Sequence, residues 1–164
     1  MMPISIIAAA GIFLGIAAAL QNPNIVGEGF INLEFVQNII GFIRKLAGVL
    51  FGNLPLLFAI ALAIGMVDEE KPTAAFAGVI GFLVFHVTIN YILGLEGITA
   101  DTTAVKYLIE NNKMDPIQAS FVNAQYETVL GIFTYRMNVF GGVVSGLTVA
   151  ALHNRFYKIK LPDA

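Results

Sequence analysis

The chain contains no cysteine and no tryptophan, and charged side chains make up only 12% of its 164 residues. Without cysteine there can be no disulfide, thiolate metal site or thiol nucleophile, so any covalent cysteine chemistry must belong to a partner. Basic residues are scarce as well: nine lysines and arginines against eleven carboxylates give a formal net charge of −2. Such a chain has no basic face with which to neutralise phosphates, which argues against nucleic acid as a partner. The phosphate loop G-x-x-x-x-G-K-[ST], the dinucleotide fingerprint G-x-G-x-x-G and the zinc motif H-E-x-x-H are all missing. No cofactor, metal site or catalytic residue is therefore expected on this chain.

What the chain does have is apolar length. It is 57% hydrophobic with a mean hydropathy of +0.80, more apolar than a water-soluble domain of this size can hide. The charges are also segregated, leaving uncharged runs that match the ~20-residue helix needed to cross about 30 Å of hydrocarbon. We expect an all-α integral membrane protein of about four transmembrane helices, an interfacial amphipathic helix and short external helices. The spans fall at about 3–20, 46–67, 73–95 and 130–152. Met1 to Leu20 lacks a basic n-region and runs on into further spans, which favours a first transmembrane helix over a cleaved signal peptide. Residues 46–67 and 73–95 carry no charged side chain, and the DEEK segment between them makes them an antiparallel hairpin. The last span is extended backwards from Met137 by the apolar stretch Thr128 to Tyr135, provided that Arg136 faces protein or water.

Ahead of the second span, Val36, Ile39, Ile40, Ile43 and Ala47 recur at helical spacing, with Glu34, Gln37, Asn38, Gly41, Arg44 and Lys45 on the other side. This reads either as an interfacial helix or as the tilted outer end of the second span. The basic tail Arg155, Lys158 and Lys160 belongs in the cytoplasm by the positive-inside rule. Segment 96–127, with five carboxylates and two lysines, is then external. Arg44 and Lys45 fall on the outer side against the rule, and must snorkel to the headgroups. Within the external segment Asp101 can cap a short helix through about Asn111, and Asp115-Pro116 can begin another.

Small residues at intervals of four, Gly11, Gly15 and Ala19 in the first span and Gly142, Gly146 and Ala150 in the last, mark faces where helix backbones can meet. Asn53 and Pro55 interrupt the second span, because proline removes a backbone donor and frees a carbonyl. Broken helices line substrate paths in transporters, but a packing kink is the plainer reading. His86 and Asn90 lie one turn apart and must face protein or water. With no carboxylate in the spans to serve as a relay partner, structural hydrogen bonding is favoured over proton transfer, and Asn138 is read the same way. Asn53, His86 and Asn90 are the candidates for substrate contact.

The run MMPISIIAAAGIFLGIAAAL, the segment FGNLPLLFAIALAIGM followed by AAFAGVIGFLV, and TVLGIFTYRMNVFGGVVSGL closing in LHNRFYKIKLPDA resemble the glucose/maltose superfamily of enzyme IIC permeases. These belong to the bacterial phosphoenolpyruvate-dependent sugar phosphotransferase system. The resemblance is colinear along nearly the whole chain and weakest over 96–127. It implies a multi-pass protein of the bacterial inner membrane, a homodimer, that presents sugar to enzyme IIB, itself phosphorylated through enzyme IIA. It further implies that residues 1–164 are the amino-terminal scaffold and dimer-contact part of such a permease, as a truncated or shortened product. The family's sugar-binding histidine and glutamate lie beyond the matched motifs, so no sugar-binding residue carries over to this chain. The competing expectation is a small membrane interaction or regulatory protein without transport activity.

Overall fold

The computed structural model describes residues 2–159; Lys160 of the basic tail lies outside them. In chain order the elements are α1 (Met2–Leu20), α2 (Pro23–Val26), α3 (Glu28–Ile31), α4 (Glu34–Gly52), α5 (Leu54–Gly65), α6 (Lys71–Leu95), α7 (Val105–Asn112), α8 (Pro116–Asn123), β1 (Tyr126–Val129), β2 (Ile132–Tyr135) and α9 (Val139–Phe156). By length and composition α4 and α6 can each cross a membrane, whereas Ile7–Leu20 and α5 are shorter apolar helices. Large apolar side chains such as Phe76, Val84, Tyr91, Phe140 and Leu152 point outward, a surface suited to lipid rather than water.

Two packed groups organise the chain. In the first, α1 and α4 run antiparallel: the Gln37 amide donates to the Leu20 carbonyl at 3.3 Å and the Arg44 guanidinium donates to Gln21 Oε1 at 2.7 Å. In the second, α5, α6 and α9 pack on one another, with β2 laid against α6.

Residues 46–67 are not one continuous helix. Helix α4 continues without interruption from Glu34 to Gly52, so the amphipathic stretch and the start of the second span are one helix, with Ile40 and Ala47 inward and Ile39 exposed. The ladder then breaks at Asn53, and α5 starts with Pro55 in its first turn. Proline cannot donate to the Phe51 carbonyl, and the Asn53 amide turns back to donate to the Val49 carbonyl at 2.8 Å.

The larger correction concerns residues 128–135, which do not extend the last span. They form an antiparallel hairpin in which Tyr126 faces Tyr135, Glu127 faces Thr134, Thr128 faces Phe133 and Val129 faces Ile132. The chain is therefore mainly helical rather than all-α. β-branched and aromatic residues flank a two-residue turn, Leu130-Gly131, with φ of 49° and 84°, the positive φ at both positions that a tight hairpin needs. Asn138, at φ 48°, separates the hairpin from α9, which runs on to Phe156.

In segment 96–127 the first helix starts at Val105 without a side-chain cap, so Asp101 does not cap it. Asp115 does cap α8, its carboxylate accepting from the Ile117 and Gln118 amides at 2.8 and 3.1 Å.

Candidate functional site

The core that carries the site is built on glycine. Along α6 the buried stripe Ala74, Gly78, Phe82 and His86 recurs every four residues. Gly141, Gly142, Ser145, Gly146 and Ala150 form the buried face of α9. A methyl group added at Gly142 would overlap the Pro55 carbonyl, and one at Gly146 would lie 2.7 Å from the Ala59 carbonyl oxygen. The α5 and α9 backbones thus meet directly, side by side in the same direction. Gly11 and Gly15 do not behave in this way: the added methyl would find only the Phe51 ring at 3.8 Å in the first case and nothing within 4 Å in the second.

His86 and Asn90 fasten the hairpin to α6. His86 Nδ1 lies 3.2 Å from Thr134 Oγ1, both side chains being fully buried, and the ring packs edge-on against Phe82 and Phe85. Its Nε2 has no partner among the described residues and faces Gly141. The Asn90 amide donates to the Phe133 carbonyl at 2.8 Å. In this register the Phe133 carbonyl turns away from β1, so Asn90 occupies the outer edge of β2. Replacing Asn90 with leucine keeps the volume but strands that carbonyl. We expect amide exchange at Ile132 and Thr134 to quicken about tenfold, equivalent to about 1.4 kcal/mol. Exchange at the wild-type rate would show that Asn90 does not hold the hairpin.

On the opposite edge of the hairpin is a cavity of about 420 Å³, whose wall includes Asn53, Pro55, Glu127, Thr128, Asn138 and Val139. The N-termini of α5 and α9 open toward it, and neither is capped by a side chain. Glu127 is paired with Arg136 at 3.8 Å. Since α5 has 12 residues, the cavity stands about 18 Å from the Met66–Glu70 turn. Of the three residues proposed for substrate contact, only Asn53 reaches this cavity; His86 and Asn90 lie across the hairpin from it. The sequence reading missed Glu127 and Thr128, although Leu130-Gly131 between β-branched runs was the available sign of a hairpin. A second cavity, between α1 and α4, is lined only by apolar groups such as Phe13, Ile43 and Leu50.

Long apolar helices, close glycine contacts and irregular backbone held against a helix are the features of a helical membrane protein domain. The family described as "Phosphotransferase system, EIIC" matches residues 1–164, and the chain belongs to that family. It is 32% identical over 165 residues to the maltose-specific EIICB component of Escherichia coli K12, covering 100% of this chain and 28% of that protein. It is 31% identical to the glucose-specific EIICBA component of Staphylococcus carnosus, covering 99% and 21% of the two. For the glucose-specific EIICBA component of Mycoplasma genitalium the identity is 35%, covering 99% and 16%. The chain thus spans under a third of the length of these relatives.

Proposed function

We propose that the chain is a permease component of a phosphoenolpyruvate-dependent sugar phosphotransferase system, of the glucose/maltose type. Residues 1–164 supply its scaffold and dimer-contact part rather than the site where sugar is phosphorylated. The family match over the whole chain carries this reading. The relatives' names join EIIC to B, or to B and A, in one component, which supports enzymes IIB and IIA as partners. The spans of this reading are α1, the interrupted α4–α5, α6 and α9, in the bacterial inner membrane, with the sugar itself bound mainly by other parts of the permease. A homodimer is served by the α1–α4 side, where Gly11 and Gly15 are left without close neighbours.

The orientation follows from the basic end of α9 and its neighbours. Arg155 and Lys158 are cytoplasmic, as is the turn at Asp68 to Lys71, while 96–127 is external. His153 and Asn154 tie the two cytoplasmic ends together through the Glu69 and Met66 carbonyls, at 3.2 and 2.8 Å. In this cysteine-free chain, an impermeant thiol reagent added to intact cells should label Lys113→Cys and spare Lys158→Cys. The reverse pattern would invert the topology.

A further inference from the structure

We propose that the groove between the start of α6 and the end of α9 binds one phosphatidylethanolamine molecule, an acyl chain lying between the helices and the headgroup between Glu70 and Lys158. The two helices touch where Gly81 faces Val149, since a methyl group on that glycine would overlap Val149 Cγ2. Between that contact and Glu70 lies a groove of about 540 Å³, walled by Ala77, Ile80, Val149, Leu152 and Phe156. Ile80, Leu152 and Phe156 are about half exposed, so the groove opens outward, away from the core. From Glu70 to Gly81 is eleven residues, about 17 Å of helix, close to half of a ~30 Å hydrocarbon core. The groove thus has the depth of one leaflet and the apolar wall that an acyl chain requires.

The mouth of the groove selects the headgroup. Glu70 lines it, and its carboxylate caps no amide and pairs with no cation among the described residues. On the α9 side Tyr157 and Ile159 line the mouth, and the Lys158 ammonium between them in the chain lies 5.3 Å from the centre of the Tyr157 ring. The His153 ring stacks on Tyr157 and its Nε2 stands 3.2 Å from the Glu69 carbonyl, which ties this end of α9 to the turn before α6. Lys71 and Arg155 each stand six residues, about 120° around the helix, from the groove residues Ala77 and Val149, and point elsewhere. The mouth therefore offers one carboxylate and one ammonium. The Tyr157 hydroxyl first, and then Glu69 and Asp68 of the turn, raise the Lys158 pKa, so this cation already faces negative charge and a wholly anionic lipid meets repulsion. A headgroup with a phosphate and a primary ammonium answers both signs. Lys158 and the Thr73 hydroxyl donate to the phosphate, and the lipid ammonium donates to Glu70. A choline headgroup has the same charges but no N–H to donate, and a glycerol headgroup lacks the cation.

The chain has no tryptophan, so Leu152→Trp places a single reporter in the groove, and Phe140→Trp, exposed at the other end of α9, places one outside it. Each variant is put into nanodiscs of dioleoylphosphatidylcholine mixed with dibrominated phosphatidylethanolamine, phosphatidylcholine or phosphatidylglycerol. Quenching of the fluorescence gives the relative affinity of each lipid for the surface beside the tryptophan. We expect phosphatidylethanolamine to bind at least about threefold more tightly than either of the others in the groove, and all three to bind alike at Phe140→Trp. Glu70→Gln or Lys158→Gln, both at exposed positions, added to the groove reporter should bring that ratio toward one while the unfolding midpoint stays in place. Loss of the preference in either variant assigns that charge to the headgroup. Another lipid that matches or exceeds phosphatidylethanolamine in the groove, or a preference that survives both variants, overturns the proposal. Both faces of a nanodisc have one composition, so the result does not depend on which end of α9 is cytoplasmic. The proposal rests on the chain's place in a bilayer: absence of quenching at both tryptophans overturns that reading and the proposal together, whereas quenching without preference overturns the proposal alone.

Discussion

Leucine at both Gly142 and Gly146 is expected to prevent α9 from docking on α5 and to deprive the chain of a folded state stable in detergent. At both positions the obstacle is backbone, the Pro55 carbonyl and the Ala59 carbonyl with its Cα, rather than the yielding end of a side chain. The helices must therefore separate. Overpacking of this kind costs about 1–3 kcal/mol per site in a well-packed core. In lipid, no hydrophobic drive between helices recovers the loss, because association rests on the very contacts removed. A destabilisation of 1 kcal/mol lowers the unfolding midpoint by about 2–4 °C in a chain of this size, so a fall of at least about 4 °C is expected, or loss of the monodisperse species. Leucine at Gly11 and Gly15 is the comparison within one chain, since an added methyl there meets at most the Phe51 ring, and the midpoint of the monomer in detergent should move far less. If the two double variants unfold alike, the α5–α9 contact is not what holds the core.

The 164-residue chain expressed alone is expected to insert into the membrane yet yield no sugar phosphate above the empty-vector background. The chain carries no cysteine to accept or pass on a phosphoryl group. Helices α1, α5, α6 and α9 contain no carboxylate, and the buried histidine they present, His86, is enclosed by Phe82, Phe85, Thr134 and Gly141. Activating a sugar hydroxyl requires a base within hydrogen-bonding reach of it, and His86 is buried and lines none of the cavities described above. The measurement is phosphoenolpyruvate-dependent phosphorylation of labelled glucose and maltose, in vesicles from a permease-deficient strain supplied with the general phosphotransferase proteins and enzymes IIA and IIB. Sugar phosphate that forms, and disappears when Asn53 or His86 is changed to alanine, would overturn the scaffold reading.

The sequence by itself determined the solvent, the long apolar helices and the family, because these depend on summed composition and on motif order. Uncharged length is local information, and it placed α6 to within two residues at its start and set its end at Leu95. It also marked Asn53 as a break, since proline's missing donor acts within one turn. The i, i+4 glycines were visible in both terminal spans, yet spacing could not say which pair would meet a backbone. That depends on which helix lies opposite, and only the packed structure separates Gly142 and Gly146 from Gly11 and Gly15.

The hairpin was decided at the tertiary level. Thr128 to Tyr135 is apolar enough for a membrane helix, and hydropathy does not distinguish that from a strand. What fixes the strand is the pairing of β2 with α6 through Asn90 and His86, residues about 45 positions away in the chain. The local β1–β2 register turns the Thr128 backbone outward, but only the packing of distant segments brings Glu127 and Thr128 beside Asn53, so the polar cavity exists only once those segments have met.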